Sequence, residues 1–480
     1  MSFRIQDNLN PTMTNKDFYT FPISSKEDWK DQVKIDLKGK DFDSTLTSSL
    51  WEKIKIQPFY TSEDIKEPQE EYKFHPNTEI PGMSPRIWRN LISVFSENER
   101  EANEEILHAL QNGADGLVVL LDGTENLNQL LKGVHTEFIS TNFLPTGETS
   151  LMFLQIKEWI EDLSLKPTML SGAFFWNPCD ELFQSGENFD SGINQAAKAI
   201  SDFKEFRELY PLTVDLSRYA NAGATGIQEL TYGLGEVIEL IDKLSKKAIS
   251  PTQVFENLAF HTAIGDSHFA EIAKVKALRK LIMELAGNYG VKIQMEDIHI
   301  ISSNSAFSKS LLDKNTNLIR QTYEAMAGIL GGTNALWVKP AEGENASALE
   351  KRIARNVSSI LKEECYLDKV MDPAAGSFYL EKLQEEIENS VVTALQELEK
   401  NGGWLKSFED RTLHRDIRNS RESIQKKVLA DSEIKVGANK YLAKGKLENH
   451  LDFEKIVDKD FELLPSRSTY FVEQKNLNNA

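Results

Sequence analysis

The chain has 480 residues, of which 40% are hydrophobic and 27% charged, a composition typical of globular proteins with a large core and one to three domains. Its 55 basic and 74 acidic residues give a net charge of −19, which argues against nucleic acid or an anionic membrane as partner. Either partner needs a concentrated positive surface. Two distant cysteines, a polar amino terminus and the lack of an apolar run of about 18 residues favour a cytoplasmic protein without membrane spans.

Residues 1–79 are expected to form an extension rather than a domain. The segment Ser24–Glu27 has the pattern of a capping box, and it predicts a helix that ends at Gly39. A β-prone piece, Ile54–Tyr60, follows and contains Pro58, so it is expected to be extended or at a sheet edge. Because this extension has too few apolar residues to bury them on itself, it is expected to contact the main body or another subunit.

Residues 80–390 alternate apolar runs with amphipathic helices. The predicted strands are Leu117–Leu121, Glu137–Ser140, Met169–Trp176, Leu212–Asp215, Leu258–Ala263, Asp297–Ser302, Ala335–Val338 and a weaker one at Lys369–Met371. The predicted helices span residues 125–133, 150–164, 191–209, 223–247, 267–288, 308–330 and 346–364, the last capped by Asn345 or Ser347. Eight strands with intervening helices over roughly 250 residues favour a (β/α)8 barrel, and a doubly wound open sheet remains the alternative.

Residues 391–480 are predicted to be a helical and extended carboxyl-terminal region. A helix that begins near Tyr379 is expected to run to about Lys400, where two glycines break it.

Three motifs follow one another in the later part of the chain: Gly331–Thr333, Arg352–Asn356 and Asp372–Tyr379. In this order they resemble the methylmalonyl-CoA mutase family of cobalamin-dependent carbon-skeleton isomerases. The resemblance implies a TIM barrel, with an amino-terminal extension of the kind that wraps a partner chain in that family.

The same resemblance locates the positions of the family's reactive side chains. The Ala-Gly-Ala-Thr anchor matches residues 222–225, so the family's Tyr-His pair, which contacts the migrating thioester carbonyl and the radical site, falls on Ser217 and Arg218. The tyrosine beside the radical pair falls on Ile92. An unpaired guanidinium would be costly in a water-excluded pocket, so Arg218 is expected at a surface or interface.

No residue of this chain is expected to bind cobalt or another metal. Asp297 and His299 imitate the family's Asp-x-His-x-x-Gly motif without its glycine, in a predicted strand where alternation produces such a pair by chance. The segment Ile434–Tyr441 resembles the piece that precedes the family's cobalamin domain. Such a domain needs well over about 100 residues, so the sequence predicts that none follows.

Two histidines, His261 and His268, lack a paired carboxylate or third ligand in the sequence and are expected to be structural. The sequence shows no Ser-His-Asp or Cys-His arrangement and no phosphate-binding loop.

The resemblance therefore implies the small, non-catalytic subunit of a heterodimeric methylmalonyl-CoA mutase, with no catalytic, cofactor-binding or metal-binding residues of its own. Adenosylcobalamin and the acyl-CoA substrate are expected on a large catalytic partner chain. Two alternatives remain open: the catalytic barrel of a split mutase whose cobalamin domain is a separate polypeptide, and a stand-alone binding or chaperone protein on the same barrel.

Overall fold

The computed structural model describes residues 24–65, 74, 84–95, 98–163, 165–340, 343, 346–442 and 453–478. The chain divides into two compact units, Met1–Glu67 and Pro68–Ala480, and each is described by itself. The domain boundaries predicted at residues 79 and 390 stay predictions.

The amino-terminal unit contains two helices and a hairpin: α1 (Lys26–Asp36), α2 (Phe42–Leu46), β1 (Ser48–Leu50) and the antiparallel β2 (Ile54–Ile56). The ring of Trp29 lies 4.7 Å from that of Phe59 and 6.3 Å from that of Phe42, which gives the unit a small apolar cluster of its own. The predicted capping box is displaced by one residue. Ser25, rather than Ser24, caps α1. The Asp28 carboxylate, three residues later as a capping box requires, accepts a hydrogen bond of 2.8 Å from the Ser25 amide.

The second unit is built on a nine-segment parallel sheet. Its strands are β3 (Arg89–Val94), β4 (Gly116–Leu121), β5 (Ser140–Pro145), β6 (Ser171–Ala173), β7 (Glu208–Tyr210), β8 (Leu212–Asp215), β9 (Leu258–Ile264), β10 (His299–Asn304) and β11 (Ala335–Trp337).

These strands form a barrel. The spatial order is β7-β6-β5-β4-β3-β11-β10-β9-β8, with every neighbouring pair parallel. The two end segments, β7 and β8, follow each other in the chain and are separated by Pro211, which cannot donate to a strand ladder. Together they act as one barrel strand, so the predicted (β/α)8 TIM barrel is confirmed, and the open sheet is not.

Two predicted strands are wrong. Glu137–Ser140 lies in a turn and bends up to Ser140, the first residue of β5. Lys369–Met371 lies in bends, and the remaining barrel strand, β3, was not predicted. β3 begins with polar Arg89 and Asn90, so its apolar run is too short to stand out. The buried Asn90 amide nevertheless donates to the carbonyl oxygens of Gly113 at 2.8 Å and Arg355 at 3.1 Å.

Helices surround the barrel and extend past it. They are α3 (Glu99–Gln111), α4 (Leu127–Leu130), α5 (Thr149–Leu163), α6 (Pro178–Ser185), α7 (Phe189–Asp202), α8 (Ser217–Asn221), α9 (Gly226–Ser245), α10 (Pro251–Glu256), α11 (His268–Asn288), α12 (Lys314–Gly331), α13 (Ala348–Glu363), α14 (Phe378–Lys400), α15 (Gly403–Glu409), α16 (Thr412–Leu429) and α17 (Tyr470–Asn478). Ser347 caps α13 through a capping box with Glu350, whereas the alternative cap Asn345 lies outside the described residues.

Apolar side chains fill both sides of the barrel wall. Outside, a large core joins strands β3 to β6 to their helices. Inside, the axis holds Leu91, Val118, Ala173, Phe175, Ala259, Ile301, Ala335 and Trp337. Helix α14 packs against α9 and α11 and carries the chain into α15, whose Trp404 is fully buried.

Within the described part of the chain, no helix has the length and apolar character needed to cross a bilayer. Nor do the described His, Cys, Asp and Glu side chains meet in groups of three or more that could hold a metal ion.

Candidate active-site region at the carboxyl ends of the barrel strands

Ser217 and Arg218 lie where barrel enzymes place their reactive groups. Strand β8 ends at Asp215, and α8 begins two residues later with Ser217. The carboxyl ends of the neighbouring strands β9, β10 and β11 meet at the same face of the barrel, because all are parallel.

Arg218 is largely buried in the chain, so the surface position is not found, whereas the interface position stays a prediction. Its side chain keeps 16% of its exposure, and its guanidinium pairs with Asp180 of α6 and lies 3.9 Å from Asp215. It also lies 4.4 Å from the centre of the Phe183 ring. Burial alone would lower the pKa of Arg218, but Asp180, Asp215 and Glu236 outweigh burial and raise it. These countercharges, which the sequence could not reveal, stabilise the guanidinium in its buried position.

A second group of polar side chains meets at the barrel axis. The Nδ1 atom of His261 lies 2.8 Å from the carboxylate of Asp215, and its Nε2 atom lies 2.9 Å from the hydroxyl of Ser303. The Ser217 hydroxyl donates to Asp215 at 2.6 Å and lies 3.2 Å from His261 Nδ1. The expectation that His261 lacks a paired carboxylate is therefore wrong, since Asp215 pairs with it, and its structural role stays a prediction.

The ionisation of this group follows from its neighbours. Burial would raise the pKa of Asp215, but His261, Arg218 and Ser217 outweigh burial and hold that pKa well below its usual range. Burial lowers the pKa of His261, and Asp215 only partly offsets this effect. A neutral imidazole between an ionised Asp215 and the Ser303 hydroxyl is the consequence.

Motif spacing in the sequence does not reveal this arrangement of Asp215, His261 and Ser303. Its connectivity is that of an acyl-transfer triad. However, Ser303 has no exposed surface, and His261 lies in an edge-to-face contact with Phe175 at 5.1 Å and 5.8 Å from the Trp337 ring. A signal was present in the sequence, since His261 interrupts a strand that is otherwise apolar apart from Thr262.

Phe175, His261 and Trp337 together form an aromatic plug across the barrel axis. The rings of Phe175 and Trp337 are 5.4 Å apart, and the ammonium group of Lys339 covers the Trp337 ring at 4.1 Å. An acyl group at this level of the barrel would have to displace these rings.

A third network joins the site to the carboxyl-terminal helices. Tyr219 donates to Glu236, whose other oxygen accepts from Asn177 at 3.3 Å, and Trp404 of α15 donates to the Tyr219 hydroxyl at 2.9 Å. Burial and the nearby Asp180 raise the pKa of Glu236 to about 8, so this carboxyl holds its proton near neutrality.

Comparison with known proteins decides the family. A family model described as Methylmalonyl-CoA mutase matches residues 119–464, which is more than half of the chain. The chain belongs to the methylmalonyl-CoA mutase family.

Among curated mutase relatives, the chain is similar to two named as small subunits. It is 28% identical over 442 residues to the "Methylmalonyl-CoA mutase small subunit" of Porphyromonas gingivalis, covering 88% of this chain and 71% of the relative. It is 26% identical over 411 residues to that of Streptomyces virginiae, covering 80% and 65%. The chain therefore spans between 65% and 71% of the length of these relatives.

The chain is also similar to a protein named as the large subunit of a mutase. It is 30% identical over 234 residues to the "Methylmalonyl-CoA mutase large subunit" of Porphyromonas gingivalis, covering 48% of this chain and 33% of that subunit. One organism thus has relatives of this chain named as small and as large mutase subunits.

Ile92, onto which the resemblance places the mutase tyrosine, is not brought together with Ser217 and Arg218. It packs against the outer core between the barrel wall and its helices, whereas its neighbour Leu91 faces the axis. Alternate residues of a strand point to opposite faces, so a side chain at position 92 cannot reach the barrel axis.

The absence of a cobalt ligand at Asp297 and His299 stays a prediction, and the structure places His299 away from Ser217. His299 is the first residue of β10, at the amino-terminal end of the barrel, where it borders a cavity of about 730 Å³. Its ring stacks on Tyr210 at 4.8 Å, and burial beside Arg279 and Arg89 lowers its pKa to about 4. One face of the imidazole is therefore covered, at the end of the barrel opposite Ser217.

His268 also takes a structural position. It is the first residue of α11, and its Nδ1 atom lies 3.1 Å from the carbonyl oxygen of Tyr323 on α12.

Proposed function

We propose that this chain is the small, non-catalytic subunit of a heterodimeric methylmalonyl-CoA mutase. In this proposal the complex interconverts methylmalonyl-CoA and succinyl-CoA by a radical carbon-skeleton rearrangement. Adenosylcobalamin supplies the radical and, with the substrate, resides on the large partner subunit. The names of the Porphyromonas and Streptomyces relatives support the subunit assignment.

The aromatic plug carries the non-catalytic part of the proposal. Mutase chemistry needs a sealed cavity in which a substrate and a radical can meet. In this barrel the axis near the carboxyl ends of the strands holds Phe175, His261 and Trp337, with ring centres 5.1 to 5.8 Å apart. No reacting group fits there without repacking the interior.

The polar groups nearby support the same conclusion. Asp215, Ser217 and Ser303 are bonded to His261 or to each other, and Arg218 pairs with Asp180, while its Nη1 atom has no hydrogen-bond partner among the described residues. In this proposal the mutual bonds stabilise the barrel as a scaffold for a partner.

Co-expression with a large mutase subunit tests the proposal. We expect the two chains to purify together at one-to-one stoichiometry, and turnover of methylmalonyl-CoA to require the large chain. The isolated small chain, given adenosylcobalamin and substrate, is expected to form no succinyl-CoA by mass spectrometry.

Two outcomes would overturn the assignment. Turnover by this chain with a separate cobalamin-binding domain would make it the catalytic chain of a split mutase. A chain that stays monomeric beside the large subunit would favour the stand-alone binding or chaperone function.

A further inference from the structure

A second cavity lies outside the barrel axis and outside the networks around Ser217. It has a volume of about 360 Å³ and opens near the carboxyl ends of β3 and β11, between α3 and α13. Its apolar lining includes Ile92, Phe95, Ala109 and Val338. Small-molecule sites typically occupy roughly 300–1,000 Å³ and have mostly apolar walls with a few polar groups.

Two arginines of the Arg352–Asn356 motif line this cavity. Arg352 and Arg355 lie one turn apart on α13, so their side chains are neighbours on the helix surface. Neither guanidinium has a hydrogen bond or an ion pair with any residue that the structure describes, and Arg355 Nε is buried without a partner. Burial and the nearby Arg352 lower the pKa of Arg355, as expected for two uncompensated cations.

The other charges at the cavity do not compensate these arginines. Lys351 and Glu105 form an ion pair at 2.9 Å that joins α13 to α3. Because the charges of Lys351 and Glu105 offset each other, the positive charges of the two guanidinium groups remain in excess at the cavity. This positive lining contrasts with a whole chain of net charge −19.

We propose that this cavity binds a small organic anion, with its carboxylate or phosphate group on Arg352 and Arg355 and a short apolar chain against Ile92, Phe95 and Val338. Guanidinium groups match both head groups because their parallel N–H donors bind two oxygens at once. A partly buried guanidinium such as that of Arg355, whose Nε atom is buried without a partner, is stabilised by an anion that accepts from it. The inference is independent of whether the chain is catalytic.

Isothermal titration of the full-length chain with four probes tests the site: hexanoate, hexyl phosphate, inorganic phosphate and the neutral 1-hexanol. We expect at least one of the two hexyl anions to bind at least tenfold more tightly than both hexanol and inorganic phosphate. The better of the two identifies the head group. Hexanol that binds as tightly as the anions, or no binding of either anion, would overturn the proposal.

The variant Arg355→Met separates a binding role from a structural one. Methionine keeps the apolar stem and removes the charge, so we expect anion affinity to fall at least tenfold while the thermal midpoint stays unchanged or rises. A merely structural arginine would show the reverse, a lower midpoint with unchanged anion binding.

Two further variants complete the test. Arg352 is exposed, so Arg352→Met keeps the proposal testable if the Arg355 variant fails to fold, and its anion affinity should also fall. Arg100→Met on α3 is the matched control, because Arg100 is exposed, pairs with Glu104 and does not line the cavity. This control should change neither the affinity nor the midpoint.

Discussion

Arg218 illustrates how a charged residue can be stable inside the carboxyl end of a barrel. Its guanidinium pairs with Asp180 and lies over the Phe183 ring, and both partners belong to α6. Arg218 itself lies on α8, so the interaction ties together two short helices that follow different barrel strands. We therefore expect Arg218 to contribute to the stability of the chain.

The substitution Arg218→Ala is expected to lower the free energy of unfolding by about 3–5 kcal/mol, because it leaves buried Asp180 without its countercharge. Urea denaturation of the purified chain measures this loss. The exposed control Arg100→Ala should stay within about 0.5 kcal/mol of wild type. The double variant Arg218→Met with Asp180→Asn should recover most of the lost stability. A loss below about 1 kcal/mol for Arg218→Ala alone would contradict the buried ion pair.

Glu236 predicts a pH dependence of stability. Its pKa in the folded chain is about 8, whereas an unfolded glutamate has a pKa of about 4.3. Between these values the native state holds a proton that the unfolded state has lost, so this group's contribution to stability falls as the pH rises through that window. Below about pH 4.3 both states are protonated and the group makes no difference.

Glu236→Gln should remove this dependence, since glutamine keeps the neutral form. We expect the variant to exceed wild type in free energy of unfolding by a few kcal/mol at pH 9, at about 1.4 kcal/mol per pKa unit, with a difference that shrinks toward pH 5. Urea titrations at pH 5, 7 and 9 measure it. The exposed Glu422→Gln on α16 should follow wild type throughout. Parallel profiles for Glu236→Gln and wild type would show that this carboxyl ionises normally.

At the scale of elements, β6 is constrained by its close approach to β5. Gly172 has a φ of +153°, and a Cβ at this position would lie 1.8 Å from the carbonyl oxygen of Thr141. No side chain can be accommodated without moving the backbone of two barrel strands.

Gly172→Ala is therefore expected to destabilise the chain by more than about 3 kcal/mol, at the severe end of single substitutions, or to prevent folding. Circular dichroism and thermal unfolding measure the effect. Gly287→Ala near the end of α11 is the control, because nothing lies within 4 Å of the added Cβ. That control should be neutral or stabilising by up to about 1 kcal/mol. Equal stability of the two variants would contradict the close packing of β5 and β6.

At the scale of the whole molecule, we expect a substitution in the aromatic plug to change the stability of this chain without changing the turnover of its complex with a large subunit. Trp337→Phe removes the hydrogen bond of 3.0 Å that the indole Nε1 donates to the Ser93 hydroxyl, and it replaces the indole at the axis by a smaller ring. It should therefore lower the free energy of unfolding by about 1–3 kcal/mol. In the complex with a large subunit, kcat and KM should stay at wild-type values, since the proposal places no reacting atom in this barrel.

The comparison uses complexes of equal stoichiometry, assayed below the unfolding temperature of the variant. Phe138→Leu, at a position that is 69% exposed, controls for a surface aromatic and should leave both stability and turnover unchanged. A changed kcat for Trp337→Phe in an intact complex would place substrate in this barrel and so falsify the non-catalytic assignment.

Local patterns in the sequence were sufficient to predict much of the fold. Helices such as α11 and α13 are set by apolar spacing and caps within a few residues, and strands such as β9 by continuous apolar runs. β3 escaped prediction because its first two residues are polar. Asn90 obtains its partners from Asp115, Gly113 and Arg355, and the Arg89 guanidinium donates to the carbonyl oxygen of Phe138, all of them remote in the chain.

By itself, the sequence determined the mutase family, because its motifs are readable in one stretch, and the barrel followed from that resemblance, since short-range periodicity left the open sheet as an alternative. Tertiary structure alone decided the charge state and surroundings of Arg218, the bonding of His261 and the cavity at Arg352 and Arg355. His261 meets Asp215 and Ser303 across 46 and 42 residues of chain, and such contacts arise from the register of parallel strands. Burial and countercharge depend on that register, so a pattern of neighbouring residues cannot reveal them.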